Sequence, residues 1–570
     1  MNLLLKTRTL QWLALVLCLA YLLPNHYSPW LTFHQELCTA VAFTPLLIWA
    51  AFQTETFPTA AKTALLLGCV PLVQIISGEL YFAGDGWMSA LYLCASALVI
   101  RAGASCISIE AIQRTALSEA LQYFWAALVL TALLSTGIAA YQWLLLGNQG
   151  IYVVEMPPGS RPFANLAQPN HLASVLLLGL VGLIYFWESR KIGTVAVWLA
   201  SAFLIVGLVM TGSRSVFLSI GLFPVFLVLF KRRCRLRMEL KAFVVFFLFY
   251  VAVAQFWPLF GKALLLPSDS EVAFDRMGSF GVRAIYWQAM LAALATKPWF
   301  GYGWGQIGVA QTETALDFPS TFSFFDSAHN LVLDLALWNG LPIMGLVVGG
   351  FAVWLWRRLR ACHSLQAWIS LVGIGVVLCH AMVEYPLSYA YFLLPVGFLI
   401  GILSKLPTKE HEQLMAGRML LVRGVTLGTI LLGAFVSVEY LPFEADWRLL
   451  KFQEARIGIG SGDPESPPSA FVLTQLQAFM KTSRWEPREN MPQAEITQLK
   501  RISERYAYAS VMYRYATVQA LNGDEIGAQT TLRRLCRMQS RKMCESARQD
   551  WTKIIQKKNS SLEKLPFPQD

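Results

Sequence analysis

Apolar runs of about 20 residues recur along most of the chain, the length a helix needs to cross a hydrocarbon core of about 30 Å. There are roughly thirteen by hydropathy, centred near Val16, Ala42, Leu67, Leu93, Val129, Leu178, Leu204, Phe223, Phe247, Leu346, Val372, Val396 and Leu427. The seventh and eighth are split only by a polar turn around Thr211 and Ser213. The first run follows Lys6 and Arg8 as a signal peptide would, but PNHYSPW succeeds it instead of a small-residue cleavage pattern, so it reads as a retained span. From about residue 439 the pattern changes. Charged residues become frequent, and RYAYASVMYRYATVQALNGDEIGAQTTLRRLC reads as helix, NGD turn and helix.

The fold class predicted is all-α: a polytopic membrane protein with N-terminal transmembrane helices over 1–258, a large outer loop over 259–328, further transmembrane helices over 329–438 and a helical domain over 439–570. The Ala-rich seam of that last domain is tetratricopeptide-like, in a single copy. Composition agrees, with mean hydropathy +0.49, 56% hydrophobic residues and 14% charged, against about a quarter charged in soluble domains. The net charge of +11 does not point to nucleic acid, because Lys and Arg fall between the apolar runs in every second loop. One set of loops holds Lys6 and Arg8, Lys62, Arg101 and Arg114, Arg190 and Lys191, the run KRRCRLRMELK, Arg357, Arg358 and Arg360, and Lys405, Lys409 and Arg418. These loops are expected in the cytoplasm. The two longest connections, about 147–169 and 258–328, and the C-terminal domain are then expected outside.

Five polar clusters stand at membrane depth or its outer edge, where ionisable groups are costly and each is a functional candidate. RPFANLAQPNHLA carries Arg161, Gln168, Asn170 and His171 at the start of the sixth run, with Pro169 suited to a first helical turn. TGSRS places Arg214 at an outer turn, close to where a lipid head group sits; an isolated Arg there is ordinarily a snorkelling anchor. VRAIYWQAMLAALATKPWFGYGWGQ reads as an amphipathic helix with Arg283 and Trp287, then glycines that let the backbone approach a ligand. GYGWG lacks the Lys and Ser/Thr of a nucleotide P-loop. SAHN places His329 and Asn330 where the large loop re-enters the membrane, and an imidazole of ordinary pKa, about 6.5, is mostly neutral near pH 7, as a general base must be. CHAMVEYPLSYAYFLLP breaks an apolar run with His380, Glu384 and Tyr385. Cys536 and Cys544 fall in the outer domain, where oxidation is permitted. They either pair or remain two thiols on one straight helix, roughly 12 Å apart.

These motifs, in this order around a long outer loop, resemble the PglL-type protein O-oligosaccharyltransferases, relatives of the O-antigen ligases and polymerases. The resemblance covers most of the chain; Asp334 and Asn339 depart slightly from the expected pattern. It implies an inner-membrane enzyme that needs no cofactor and no metal, takes a glycan from undecaprenyl pyrophosphate on the periplasmic side, and attaches it to a Ser or Thr hydroxyl of a periplasmic protein such as a type IV pilin. The sequence shows no DxD motif and no metal-ligand spacing. In the family pattern Gln168, His329 and Tyr385 are catalytic, with Asn170, His171, Asn330 and Glu384 supporting them. Arg161, Arg214 and Arg283 are expected to stabilise charge on the departing pyrophosphate. The rivals are a ligase or polymerase with a sugar hydroxyl as acceptor, and a lipid-linked glycan transporter, which needs a polar path open to both faces.

Overall fold

The computed structural model describes residues 2–107, 116–146, 150–266, 281–405, 416–454, 466–557 and 565–568. Arg114, Lys409 and parts of both long connections lie outside them. All regular elements among the described residues are helices. The first nine are α1 (Asn2–Leu22), α2 (Phe33–Ala51), α3 (Thr59–Ile76), α4 (Ala83–Ser105), α5 (Ala116–Trp143), α6 (Pro169–Glu188), α7 (Thr194–Thr211), α8 (Ser215–Cys234) and α9 (Leu240–Ala263). The next six are α10 (Gly281–Thr296), α11 (Ile307–Thr314), α12 (Leu331–Arg360), α13 (Leu365–Ala381), α14 (Ala390–Lys405) and α15 (Ala416–Glu454). The C-terminal helices are α16 (Thr474–Ser483), α17 (Gln493–Arg505), α18 (Ala509–Leu521), α19 (Glu525–Met538) and α20 (Arg541–Lys557).

Every predicted apolar centre falls inside a helix. Nine of the described helices, α3 to α9, α12 and α15, are long and apolar enough to cross a membrane, while α13 and α14 are apolar but shorter. The chain divides into two compact units. The first comprises residues 1–66, 92–279 and 349–434; the second comprises 67–91, 280–348 and 435–570.

The first unit is a helix bundle around fully buried Trp125, Trp368, Tyr391 and Phe398. Its helices approach closely where a small residue allows it: a Cβ on Gly401 would run into the carbonyl of Ile100, and one on Gly103 into that of Phe398. Two cations of the loops expected in the cytoplasm are buried helix caps. Arg101 donates to the carbonyls of Ala50, Gln53 and Glu55, just past the end of α2. Lys6 Nζ donates to Cys106 O at 2.6 Å, past the end of α4. A positive group at a helix C-terminus meets both unpaired carbonyls and the negative end of the helix dipole.

In the second unit α10 and α11 pack with the first half of α12 around Tyr286, Met290, Tyr302, Ile307 and Leu337. Helix α12 breaks at Gly340, whose φ is +77°, and Pro342 follows without an N–H. The break leaves backbone groups unmatched, and the glycine turn after α10 matches them: Leu341 N donates to Pro298 O at 2.7 Å, and Tyr302 N to Leu337 O at 2.5 Å. Non-helical backbone in a membrane helix is tolerated where protein satisfies it in this way. GYGWG, read from sequence as approaching a ligand, therefore approaches a broken helix: Gly301 sits where a Cβ would run into Leu337 O.

Further along the second unit, α18 and α19 form the predicted antiparallel hairpin. The Asp524 side chain caps α19 by accepting from Gly527 N. Cys536 and Cys544 are disulfide-bonded, with Cα atoms 4.8 Å apart. The straight-helix alternative fails because α19 ends at Met538 and α20 begins at Arg541, so the chain turns between the two cysteines.

Candidate active site

Three of the five sequence clusters meet in the first unit. The segment before α6 is braced by buried side chains. Gln142 accepts from Phe163 N and Ala164 N and donates to Val154 O and Ala164 O. Asn165 donates to Leu22 O and Tyr152 O, while Gln35 donates to Asn165 O at 2.7 Å. This fixes the approach to α6, which starts at Pro169 as expected, with Gln168 extended just before it. Gln168 Oε1 is buried and has no hydrogen-bond partner among the described residues, a deficit worth about 1–3 kcal/mol.

Asn170 joins the three motifs. Its Nδ2 donates to Glu384 Oε1 at 3.0 Å, and its Oδ1 accepts from Ser213 Oγ at 2.8 Å. Ser213 Oγ also lies 2.8 Å from Ser215 Oγ, so the turn carrying Arg214 is tied on both sides. Arg161 Nη1 donates to Thr211 O and Gly212 O at 3.2 and 3.3 Å, capping α7 at the same turn.

One residue on, His171 is buried, its Nδ1 2.9 Å from the Tyr391 hydroxyl and its ring against Tyr389. His380 Nδ1 lies 2.8 Å from Ser174 Oγ. Tyr385 stacks on Tyr389, and Tyr389 on Tyr391, with centroids 5.7 and 5.4 Å apart. This tyrosine ladder starts at a short 3-10 turn, Pro386–Ser388, and is anchored by Glu36. That buried carboxylate accepts from Ala390 N, Trp30 Nε1, Thr32 Oγ1 and the Tyr92 hydroxyl.

The other two clusters meet in the second unit. His329 has φ +51°, a left-handed conformation that costs a non-glycine residue about 1 kcal/mol or more. Its surroundings impose it. Asp334, one turn into α12, accepts from Ser327 Oγ at 2.7 Å and from Ala328 N at 2.6 Å. His329 N donates to Ser327 Oγ at 2.9 Å. From α10, Trp287 Nε1 donates to Ala328 O at 2.8 Å and the Tyr286 hydroxyl to Ser327 O at 3.1 Å. Burial above all, and the charges of Asp334 and Asp326, push the Tyr286 hydroxyl well above its ordinary pKa, so it stays a donor. Asn330 accepts from Val332 N and Leu333 N and starts α12. Arg283 lies one turn before Tyr286 and Trp287 on α10, at the i, i+3 and i+4 spacing of one helix face.

Glu36, Gln142, Asn165 and Asp334 were not among the residues singled out by sequence. Their signal was present: each is a polar residue in or beside an apolar run, where an unmet hydrogen bond is expensive. Asp334, which reads in sequence as a mere departure from a pattern, holds the loop that carries His329.

A family model described as a protein glycosylation ligase matches residues 162–187. One described as O-antigen ligase matches residues 199–348. Over these windows the chain is similar to O-antigen ligases and protein glycosylation ligases. A third model, described as the C-terminal part of virulence factor membrane-bound polymerases, matches residues 368–543. The three windows together contain all of the candidate residues except Arg161. The chain is 28% identical over 518 residues to the general O-oligosaccharyltransferase of Acinetobacter baylyi, spanning 89% of this chain and 88% of the relative. It is 27% identical over 520 residues to the ComP-specific O-oligosaccharyltransferase of the same organism, spanning 88% and 89%.

Proposed function

We propose that this membrane protein is an O-oligosaccharyltransferase: it moves a glycan en bloc from undecaprenyl pyrophosphate to a Ser or Thr hydroxyl of a periplasmic protein such as a pilin. The observation that carries the reading is the likeness, over nearly the whole chain, to two O-oligosaccharyltransferases. In this reading thirteen helices cross the inner membrane from a cytoplasmic N-terminus, and the outer loop and a tetratricopeptide-like domain from residue 439 are periplasmic. Alternating Lys and Arg loops support that orientation.

The acceptor oxygen attacks the anomeric carbon, the bond from that carbon to the phosphate oxygen breaks, and the electron pair leaves on the pyrophosphate. His329 takes the hydroxyl proton. Arg214 and Arg283 are each assigned to stabilising the charge that grows on the leaving group, as cations do. Arg161, engaged with the end of α7, supports Arg214 by fixing its turn as well as adding charge. Gln168 and Tyr385 orient the reacting groups, and the acceptor oxygen that Gln168 leaves unmatched among the described residues suits a donor on the substrate. Asn170, His171 and Glu384 support the residues assigned in the first unit, and Asn330 supports His329 in the second.

A second reading, transfer to a sugar hydroxyl, draws on the match to the polymerase C-terminal model. One experiment separates them. Purified protein in liposomes is given a defined undecaprenyl-pyrophosphate glycan with either a Ser-containing acceptor protein or a free oligosaccharide acceptor. Glycosylated protein is the expected product; elongated oligosaccharide with unmodified protein moves the assignment to the ligase and polymerase branch.

A further inference from the structure

The loop that ends at His329 is seated on the C-terminal helices along its length. Ser320 Oγ and Phe322 N both donate to Arg537 O, at 2.7 and 3.1 Å. Gln311, buried on α11, spans the middle of the loop by donating to Ser323 O and accepting from Phe325 N. Phe324 packs edge-on against Tyr508 at 5.4 Å, and with Ala315 it covers Met512, Leu535 and the Cys536–Cys544 bridge. On α11, Gly308 approaches so closely that a Cβ would lie 2.7 Å from Arg505 O.

The seat ends in a charged junction beside the histidine. Arg505 is the last residue of α17, and its side chain is only 11% exposed. Its Nε and Nη2 donate to the two carboxylate oxygens of Asp85 at 3.1 and 3.0 Å. Its Nη1 lies 3.5 Å from Asp326 Oδ1. Asp85 by itself neutralises the guanidinium with two parallel hydrogen bonds, so Asp326 is not needed for charge balance. What the second carboxylate adds is geometry: Asp326 stands three residues before His329, directly ahead of the strained turn.

We infer that Arg505 is a positioning residue for the general base: through Asp326 it fixes the turn at residues 327–329, so that the domain beyond residue 439 completes the catalytic loop. This rests on the assignment of His329 above. An exposed ion pair would contribute little; the Asp326 carboxylate is half exposed and its 3.5 Å contact is ionic, with no hydrogen bond at Nη1 among the described residues, but the guanidinium is buried and pre-set by Asp85, so Asp326 faces a charge that cannot drift.

The test compares wild type, Asp326→Asn, Arg505→Lys and the double variant in membrane vesicles, with an undecaprenyl-pyrophosphate glycan and an acceptor protein. Asp326→Asn leaves the Asp85–Arg505 pair in place, so the fold is not at risk. Turnover is expected to fall about ten- to a hundredfold, the range for a misplaced catalytic group, in kcat and not in KM for the donor. Lysine keeps the charge but cannot reach both carboxylates, so Arg505→Lys should fall similarly. The double variant should be no worse than the weaker single. Unchanged kcat in Asp326→Asn, a loss confined to KM, or losses that multiply in the double variant would overturn the proposal. Amide exchange of residues 322–329 decides independently of activity. Faster exchange in Arg505→Lys supports the seat and unchanged exchange refutes it, even if wild type transfers nothing and the assignment of function fails.

Discussion

The Asn170 cluster and the His329 cluster hold their polar groups in place differently. Around Asn170, where helices α6 and α8 begin and α7 ends, the left-handed residues Ala167 and Gly212 flank the polar groups, and side chains bridge residues 43 and 214 positions apart in sequence. Around His329 the left-handed residue is the candidate histidine itself and the helix that follows is broken at Gly340; a local bond from Asp334 and two bonds from Trp287 and Tyr286 on α10 hold it. The first cluster is as firm as the packing of its bundle. The second is as firm as the few groups that pin it, and those groups can be removed one at a time.

That contrast can be broken most forcefully at His329. His329→Ala should lower transfer by roughly 10²- to 10⁴-fold, the usual contribution of a general base, with membrane insertion and thermal stability unchanged; kinetic assay beside a melting curve checks both. Asn170→Leu removes the bonds to Glu384 and Ser213 together. A loss of about 1.5–3 kcal/mol is expected, read as roughly ten- to a hundredfold in turnover, accompanied by a lower melting temperature because the same bonds tie helices. Gly340→Ala must adopt a positive φ and would run into the Trp299 carbonyl, so it should destabilise by about 1–3 kcal/mol. The counterpart Gly428→Ala sits in regular helix with open space around it and should be neutral or stabilising by about 0.5–1 kcal/mol. Equal melting temperatures for those two variants would remove the distinction between irregular and regular backbone.

Much of this was legible in sequence. The apolar runs located each of the nine described helices long and apolar enough to cross a membrane, because burial in lipid leaves a 20-residue imprint, and Gln168, Asn170, Arg214, His329 and Glu384 stood out as polar groups where few are tolerated. Partnership was not legible. Nothing local ties Glu36 to Ala390, or Gln142 to the approach to α6, since those pairings are made by packing. Arg101 and Lys6 carried the right charge for anchors, yet helix ends elsewhere in the chain claimed them. The glycines of GYGWG signalled close approach of backbone, but whether to a ligand or, for Gly301, to Leu337 O depends on the distant break at Gly340. The cysteines were ambiguous because the turn at residues 539–540 has no strong breaker.

The central claim is transfer of a preassembled glycan to protein, and intact mass spectrometry of the acceptor tests it most directly. In a host supplying a defined undecaprenyl-pyrophosphate oligosaccharide, co-expression of wild type should raise the acceptor mass by the whole glycan in one step, on a Ser or Thr. An unshifted acceptor, with the same glycan appearing on surface polysaccharide instead, would contradict it.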